Sequence, residues 1–315
     1  MPHELHVGSS GIFVRVVGLT LVAAIAGTAS GSTLYTFGAD GFGAPTSLNK
    51  MDPVSAASVT NVQTPVGDGS VGFNGGLVFN GGGLLYGIGN DSGGNATLYS
   101  FSLSGQGLTS ISGNFNNSGD ASGYGFQNGL AVIGGTFYAV GVSSSGEALF
   151  QIGNGSATLV RALATLGGTY AGLAYDPTLG QFYGLIANAS GDFNGDYLVR
   201  FGLSGGTTIV TNLTALDGAQ VGSHLDGLAD TGVGILYDIY MNPITNTGQL
   251  EQINLNGSAS TTTLYDTQIP LALNAGIALV TPEPGTGPAL AGGLLLVWWF
   301  SRHGKRLGFR RSSRS

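Results

Sequence analysis

The sequence predicts an all-β chain folded as a β-propeller of five blades, each a four-stranded antiparallel meander. Three observations carry that reading. A Gly-Leu strand recurs at intervals of 43 to 55 residues. An aromatic strand follows it eight to ten residues later, and a third strand then ends in a Gly-containing turn. The composition agrees: 57 glycines and only 9% charged residues favour short strands and tight turns over amphipathic helices.

The first strand of each unit is Gly76-Leu77-Val78-Phe79, Gly129-Leu130-Ala131-Val132, Gly172-Leu173-Ala174-Tyr175, Gly227-Leu228-Ala229 and Gly276-Ile277-Ala278-Leu279. The second is Leu85-Tyr86-Gly87-Ile88, Phe137-Tyr138-Ala139-Val140, Phe182-Tyr183-Gly184-Leu185 and Leu236-Tyr237-Asp238-Ile239. Third strands with their turns are Leu98 to Phe101 with Ser104-Gly105, Leu149 to Ile152 with Asn154-Gly155, Leu198 to Phe201 with Ser204-Gly205, and Leu250 to Ile253 with Asn256-Gly257. Asn-Gly fits a two-residue type I′ turn, which needs positive φ at both central positions. A β-rich fourth strand follows, as in Thr158-Leu159-Val160.

The ends of this body predict ring closure. Leu34-Tyr35-Thr36-Phe37, followed by Asp40-Gly41, matches a third strand and its turn, while Gly276 to Val280 is a first strand without successors. The two termini therefore share one blade, which hides the edges that a linear array would expose. With no second strand assigned, that blade has three strands, and Asn49 to Gly72 fit no unit. A six-bladed ring and a β-sandwich are the alternatives.

Outside the body lie two distinctive ends. Residues 1–30 read as a secretory signal peptide: Arg15 lies within an apolar run of Val14, Val16, Val17, Leu19, Leu21, Val22 and Ile25, and small residues through Ser30 follow. Residues 281–315 hold Pro282-Glu283-Pro284, an apolar stretch from Ala289 to Phe300, and a basic cluster with Arg302, Lys305 and Arg306. The Pro-rich stretch favours an extended, accessible chain, the apolar stretch enters the bilayer as a transmembrane segment, and the basic cluster stops transfer on the cytoplasmic side. About twelve apolar residues make roughly 18 Å of helix, short of the ~20 residues that span a bilayer. That order resembles the PEP-CTERM sorting domain of Gram-negative bacteria. The resemblance implies recognition and cleavage by an exosortase-type processing enzyme, transient residence in the inner membrane, and delivery to the cell surface or outside. It also implies a link to exopolysaccharide and biofilm matrix.

Charge is segregated. Six of the ten Lys and Arg residues follow position 300, whereas residues 31–280 carry Lys50, Arg161 and Arg200 against fifteen carboxylates. Such an acidic body offers no stripe for phosphates, so nucleic-acid binding is excluded. With no cysteine, disulfides and thiolate chemistry are excluded as well.

No catalytic constellation emerges. His224 is the body's one histidine, and Gly222 to Asp226 read as a turn before a first strand. Asp176-Pro177-Thr178-Leu179-Gly180 likewise reads as a turn, with Asp bonding its own backbone. Among Asp176, Asp226, Asp230 and Asp238 a general acid/base pair would have to be found, and no spacing selects one. Asp192-Phe193-Asn194-Gly195-Asp196 resembles the opening of a calcium loop but lacks the remaining ligands. Asn95, Asn116, Asn154, Asn188, Asn212 and Asn256 begin Asn-x-Ser/Thr triplets, as chance provides in so Asn-rich a chain.

The expectation is therefore an exported, non-enzymatic binding or structural platform without cofactor, whose partners are the processing enzyme, the inner membrane and extracellular polysaccharide. Its alternative is a secreted carbohydrate-active or lactone-hydrolysing propeller using Asp carboxylates. Convergence of Asp176, Asp226 and Asp230 at one mouth of the channel separates the two.

Overall fold

The structure is a computed structural model, and it describes residues 31–281 apart from 39–45, 55–58, 68, 91–93, 118, 127–128, 192–193, 221, 225–226, 243, 246 and 271–275. Five four-stranded antiparallel sheets form a five-blade propeller. Blade 1 combines β20 (Ile277–Val280) with β1 (Thr33–Gly38), β2 (Ser47–Met51) and β3 (Thr60–Gln63). Blade 2 holds β4 (Gly72–Phe79), β5 (Leu84–Asn90), β6 (Ala96–Ser102) and β7 (Thr109–Asn114). Blade 3 holds β8 (Leu130–Ile133), β9 (Thr136–Ser143), β10 (Gly146–Ile152) and β11 (Ala157–Ala162). Blade 4 is β12 (Thr169–Asp176), β13 (Gln181–Ala189), β14 (Gly195–Phe201) and β15 (Thr207–Asn212). After the short helix α1 (Leu213–Asp217), blade 5 is β16 (Leu228–Asp230), β17 (Ile235–Asn242), β18 (Thr247–Asn254) and β19 (Ser260–Pro270).

The shared blade corrects one expectation. β1 pairs directly with β20, Thr33 opposite Val280 and Thr36 opposite Ile277, so it is the second strand of the blade and not the third. β2 and β3, which begin just before and within the stretch left unassigned, supply the third and fourth. The motif misled because Leu-Tyr-x-apolar occurs in both roles, as Leu85-Tyr86-Gly87-Ile88 and as Leu98-Tyr99-Ser100-Phe101. The turns differ as well. Gly105, Gly155, Gly205 and Gly257 take positive φ, but Asn154 and Asn256 do not, so type I′ geometry is not formed.

The recurring glycine is explained by closure. A Cβ on Gly76 would lie 2.1 Å from Leu130 N, one on Gly172 2.8 Å from Gly227 C, and one on Gly276 2.2 Å from Leu77 N. Backbones of neighbouring first strands thus touch around the channel, a contact only glycine permits. Further out, the core is divided among the five blade interfaces. One buried cluster joins Tyr35, Phe37 and Leu48 of blade 1 to Phe73, Leu85 and Phe101 of blade 2, and equivalent clusters follow around the ring. Each sheet buries both faces against neighbours, so stability rests on ring closure. No helix among the described residues is long and apolar enough to cross a membrane.

Candidate functional site

The first strands line the central channel, a cavity of about 340 Å³. Its wall is mainly Leu, Val, Ala and Ile from all five blades, and Asp230 is its carboxylate among the described residues. Burial raises the Asp230 pKa to about 6, with Asp176 nearby adding to the rise. Asp176, however, lines a separate groove with Tyr183 and Arg200, and its Oδ1 accepts the backbone N–H groups of Thr178 (2.7 Å) and Leu179 (3.1 Å). That is the turn role read from the sequence. Asp226 lies outside the described residues.

A denser group of ionisable side chains lies between blades 4 and 5. Asp196 opens β14 and is fully buried. Its Oδ1 accepts from the N–H of Asn188 (2.9 Å) and Gly222 (2.8 Å), and its Oδ2 from Ser223 (3.1 Å) and His224 (3.2 Å). Oδ2 also meets His224 Nδ1 at 3.0 Å. Burial alone would raise this carboxyl's pKa, but the His224 contact and the N–H groups prevail and lower it. An ionised carboxylate only accepts, so Nδ1 carries the proton and Nε2 faces the other way.

What Nε2 faces is acid. Asp217 Oδ2 lies 2.9 Å from it, Glu251 Oε2 3.4 Å and Asp238 Oδ2 3.9 Å. His224, Asp238 and Glu251 are fully buried, and the Asp217 side chain is 6% exposed. Helix α1 positions Asp217: Asn212 caps it by accepting the Ala215 N–H, Gly218 ends it in the left-handed region, and the Thr214 hydroxyl accepts the Asp196 N–H. Tyr240 covers the cluster, its ring 5.4 Å from that of His224. Burial disfavours an imidazolium here, but Asp196, Asp217, Glu251 and Asp238 outweigh it and hold the His224 pKa well above its ordinary value. Asp217, His224 and Glu251 are close enough to share one cation.

These residues occupy a repeated row. In cross-strand register, Leu77-Gly87-Tyr99 of blade 2 corresponds to Leu130-Ala139-Phe150 of blade 3, Leu173-Gly184-Val199 of blade 4 and Leu228-Asp238-Glu251 of blade 5. Three residues before the recurring glycine stand Phe73, Phe126 and His224. In blades 2 and 3 these rings plug the interface, Phe73 against Tyr99 at 5.8 Å and Phe126 against Phe150 at 5.2 Å. In blade 5 the same places hold an imidazole and two carboxylates. Asp196 also has a counterpart in Glu147: each lies three residues before the third-strand member of that row, Val199 and Phe150, and Glu147 Oε2 accepts the N–H of the next blade's Tyr170 at 2.9 Å.

Sequence reading placed His224 in a turn, and it does precede β16, but the acids that surround it come from four separate elements. The column of Phe73, Phe126 and His224 was the signal that could have found it. In the calcium-like segment, residues 192–193 lie outside the described residues, while Asp196 turns its oxygens to N–H groups. The sorting motif Pro282, Glu283 and Pro284, the stop-transfer residues Arg302, Lys305 and Arg306, and the signal peptide also lie outside them.

No family model matches the chain, and no curated protein matches it. Solved structures do. The chain is similar to a GH43 β-1,3-galactosidase, with a TM-score of 0.51 and 11% identity over 74% of this chain and 58% of that one. It is also similar to a GH43 α-L-arabinofuranosidase from Clostridium thermocellum (TM-score 0.49, 12% identity, 74% of this chain and 84% of that one). A third is TolB from Acinetobacter baumannii (TM-score 0.47, 12% identity, 80% and 67%). At such identities the likeness is one of propeller fold.

Proposed function

We propose that this propeller is an exported, non-enzymatic binding or structural platform of the cell surface or extracellular matrix, freed from its membrane tail by a processing enzyme of the exosortase type. The observation that carries the reading is the pairing of Thr33 with Val280. Both ends of the ring leave blade 1 side by side, within a few residues of the leader on one side and of Pro282-Glu283-Pro284 on the other. Cleavage near residue 30 and again near residue 284 would leave every described strand in place, and hydrogen bonds between β1 and β20 would keep the ring shut without the tail. The acid candidates also favour a platform over a hydrolase: Asp176 is held by its own turn and lies in a different groove from Asp230. Extracellular polysaccharide is the proposed ligand class.

Intact mass and cell fractionation, in hosts with and without the processing enzyme, test this. The expected result is a mature species that lacks both ends and is found outside the inner membrane only when the enzyme is present. An uncut chain retained in the membrane of both hosts would overturn the sorting half of the proposal. Hydrolysis of a polysaccharide or lactone that is lost in Asp230→Asn would overturn the non-enzymatic half.

A further inference from the structure

The geometry assigns a divalent-metal site between blades 4 and 5, in which His224 Nε2, Asp217 Oδ2 and Glu251 Oε2 hold a first-row transition ion of the Zn²⁺ or Mn²⁺ class, with Asp238 beside them. The ion staples the two blades where other interfaces use an aromatic plug.

Four observations support it. First, the three ligand atoms all lie within 4.8 Å of one another, with Nε2 2.9 Å from Asp217 Oδ2 and 3.4 Å from Glu251 Oε2. Ligands at about 2.1 Å from a tetrahedral ion are roughly 3.4 Å apart, so small side-chain adjustments suffice. Second, His224 Nε2, Asp217 Oδ2 and both Glu251 oxygens are buried and make no hydrogen bond. Nε2 thus lies 2.9 Å from Asp217 Oδ2 without a hydrogen bond to it, and in the neutral ring its lone pair is free to take a cation that these oxygens share. Third, Asp196 accepts from Nδ1 and is itself fixed by N–H groups, the outer-shell support that orients metal-binding imidazoles. Fourth, a protonated His224 among Asp196, Asp217, Asp238 and Glu251 leaves three buried negative charges, whereas a divalent ion bound to the neutral imidazole leaves two.

The donor set chooses the ion. Calcium takes six or more oxygens, whereas one imidazole with carboxylates suits zinc and manganese. Full burial of His224 and Glu251 leaves little room for an exchanging substrate, so the ion's role is structural.

The test uses the full chain in detergent, stripped with chelator, then dialysed separately against Zn²⁺, Mn²⁺, Ca²⁺ or Mg²⁺. About one equivalent of Zn²⁺ or Mn²⁺ should remain by atomic emission and raise the Tm by several degrees, and Glu251→Gln should weaken binding at least tenfold. Because that variant could fold poorly, a second one rebuilds the aromatic plug: His224→Phe with Asp238→Gly and Glu251→Phe. It should melt cooperatively and take up no ion. The site is overturned if the stripped parent retains no ion and shows no Tm shift, or if the plug variant folds and holds as much ion as the parent. A larger shift with Ca²⁺ than with Zn²⁺ or Mn²⁺ would overturn the class of ion.

Discussion

The interface between blades 2 and 3 and that between blades 4 and 5 place the same row of residues in the same register, yet they solve the packing problem with opposite chemistry. Between blades 2 and 3, Phe115, Phe126 and Phe150 fill the space edge to face, with centroids 4.9 to 5.2 Å apart. Between blades 4 and 5, the corresponding region holds His224, Asp238 and Glu251 under Tyr240. Apolar plugs gain from burial by area and need no partner, whereas buried charges cost free energy unless each is compensated. The difference teaches that blade repetition fixes position but leaves chemistry open, and that the departure marks where a ligand has reason to be.

The sharpest break of this comparison is His224→Phe by itself. A ring would then sit beside Asp217, Asp238 and Glu251 with no cation or imidazolium to compensate them, and urea denaturation should report a loss of about 3 to 5 kcal/mol. An unchanged midpoint would mean that these acids are already neutral. At the aromatic interface, Phe126→Ala should cost a similar or slightly smaller amount, about 3 to 4 kcal/mol, through lost burial and a cavity. Chelator should lower the Tm of this variant by as much as it lowers the parent's, because the ligands Asp217, His224 and Glu251 lie at a different interface. If chelator lowers the Tm of Phe126→Ala less than that of the parent, the two interfaces are coupled and cannot be treated as independent.

Much of the ring was legible in the sequence because its strongest constraints are local or periodic. Gly76, Gly129, Gly172, Gly227 and Gly276 mark the wall of the channel, and the aromatic second strands mark the layer behind it. Blade 1 was misphased for a physical reason: second and third strands face equivalent environments, so both select Leu-Tyr followed by an apolar residue, and only hydrogen-bonded pairing with β20 decides between them. The acid cluster was not legible from spacing. Asp196, Asp217, His224, Asp238 and Glu251 are brought together by the packing of blade 4 against blade 5 and by the capped helix α1 between them, which no local window reveals. Aligning units in columns would have exposed it, since an imidazole and two carboxylates replace apolar residues at three aligned positions.

Gly76→Ala tests the close approach that Gly76, Gly129, Gly172 and Gly276 share. A methyl group 2.1 Å from Leu130 N and 2.5 Å from Gly129 C cannot be absorbed by a side chain, so blades 2 and 3 must part near the axis. About 3 kcal/mol of stability should be lost, read as a lower midpoint in urea. A variant as stable as the parent would show that the inner ring contact contributes little and that the outer interfaces hold the propeller closed.

The smallest expected effect sharpens the comparison of Glu147 with Asp196, which cap the next blade in the same way but titrate in opposite directions. Burial raises the Glu147 pKa from 4.5 to about 7, against a single N–H from Tyr170, whereas Asp196, with several N–H groups and His224, is lowered. In the folded state Glu147 binds its proton more tightly than in the unfolded chain. The stability this provides is therefore complete below about 4.5 and is lost as pH rises through about 7, by at most about 3.5 kcal/mol at roughly 1.4 kcal/mol per pKa unit. Glu147→Gln keeps an acceptor for Tyr170 and removes the titration. Its unfolding free energy should fall less steeply than the parent's between pH 4.5 and 7, and it should be the more stable of the two at pH 8. Asp230, raised to about 6 by burial, titrates in the same sense and adds to the slope, which Asp230→Asn in the Glu147→Gln background should reduce further, leaving the part that belongs to His224. If the slope of the Glu147→Gln variant matches that of the parent, the carboxyl is ionised in the folded state throughout, and the two caps differ in sequence but not in chemistry.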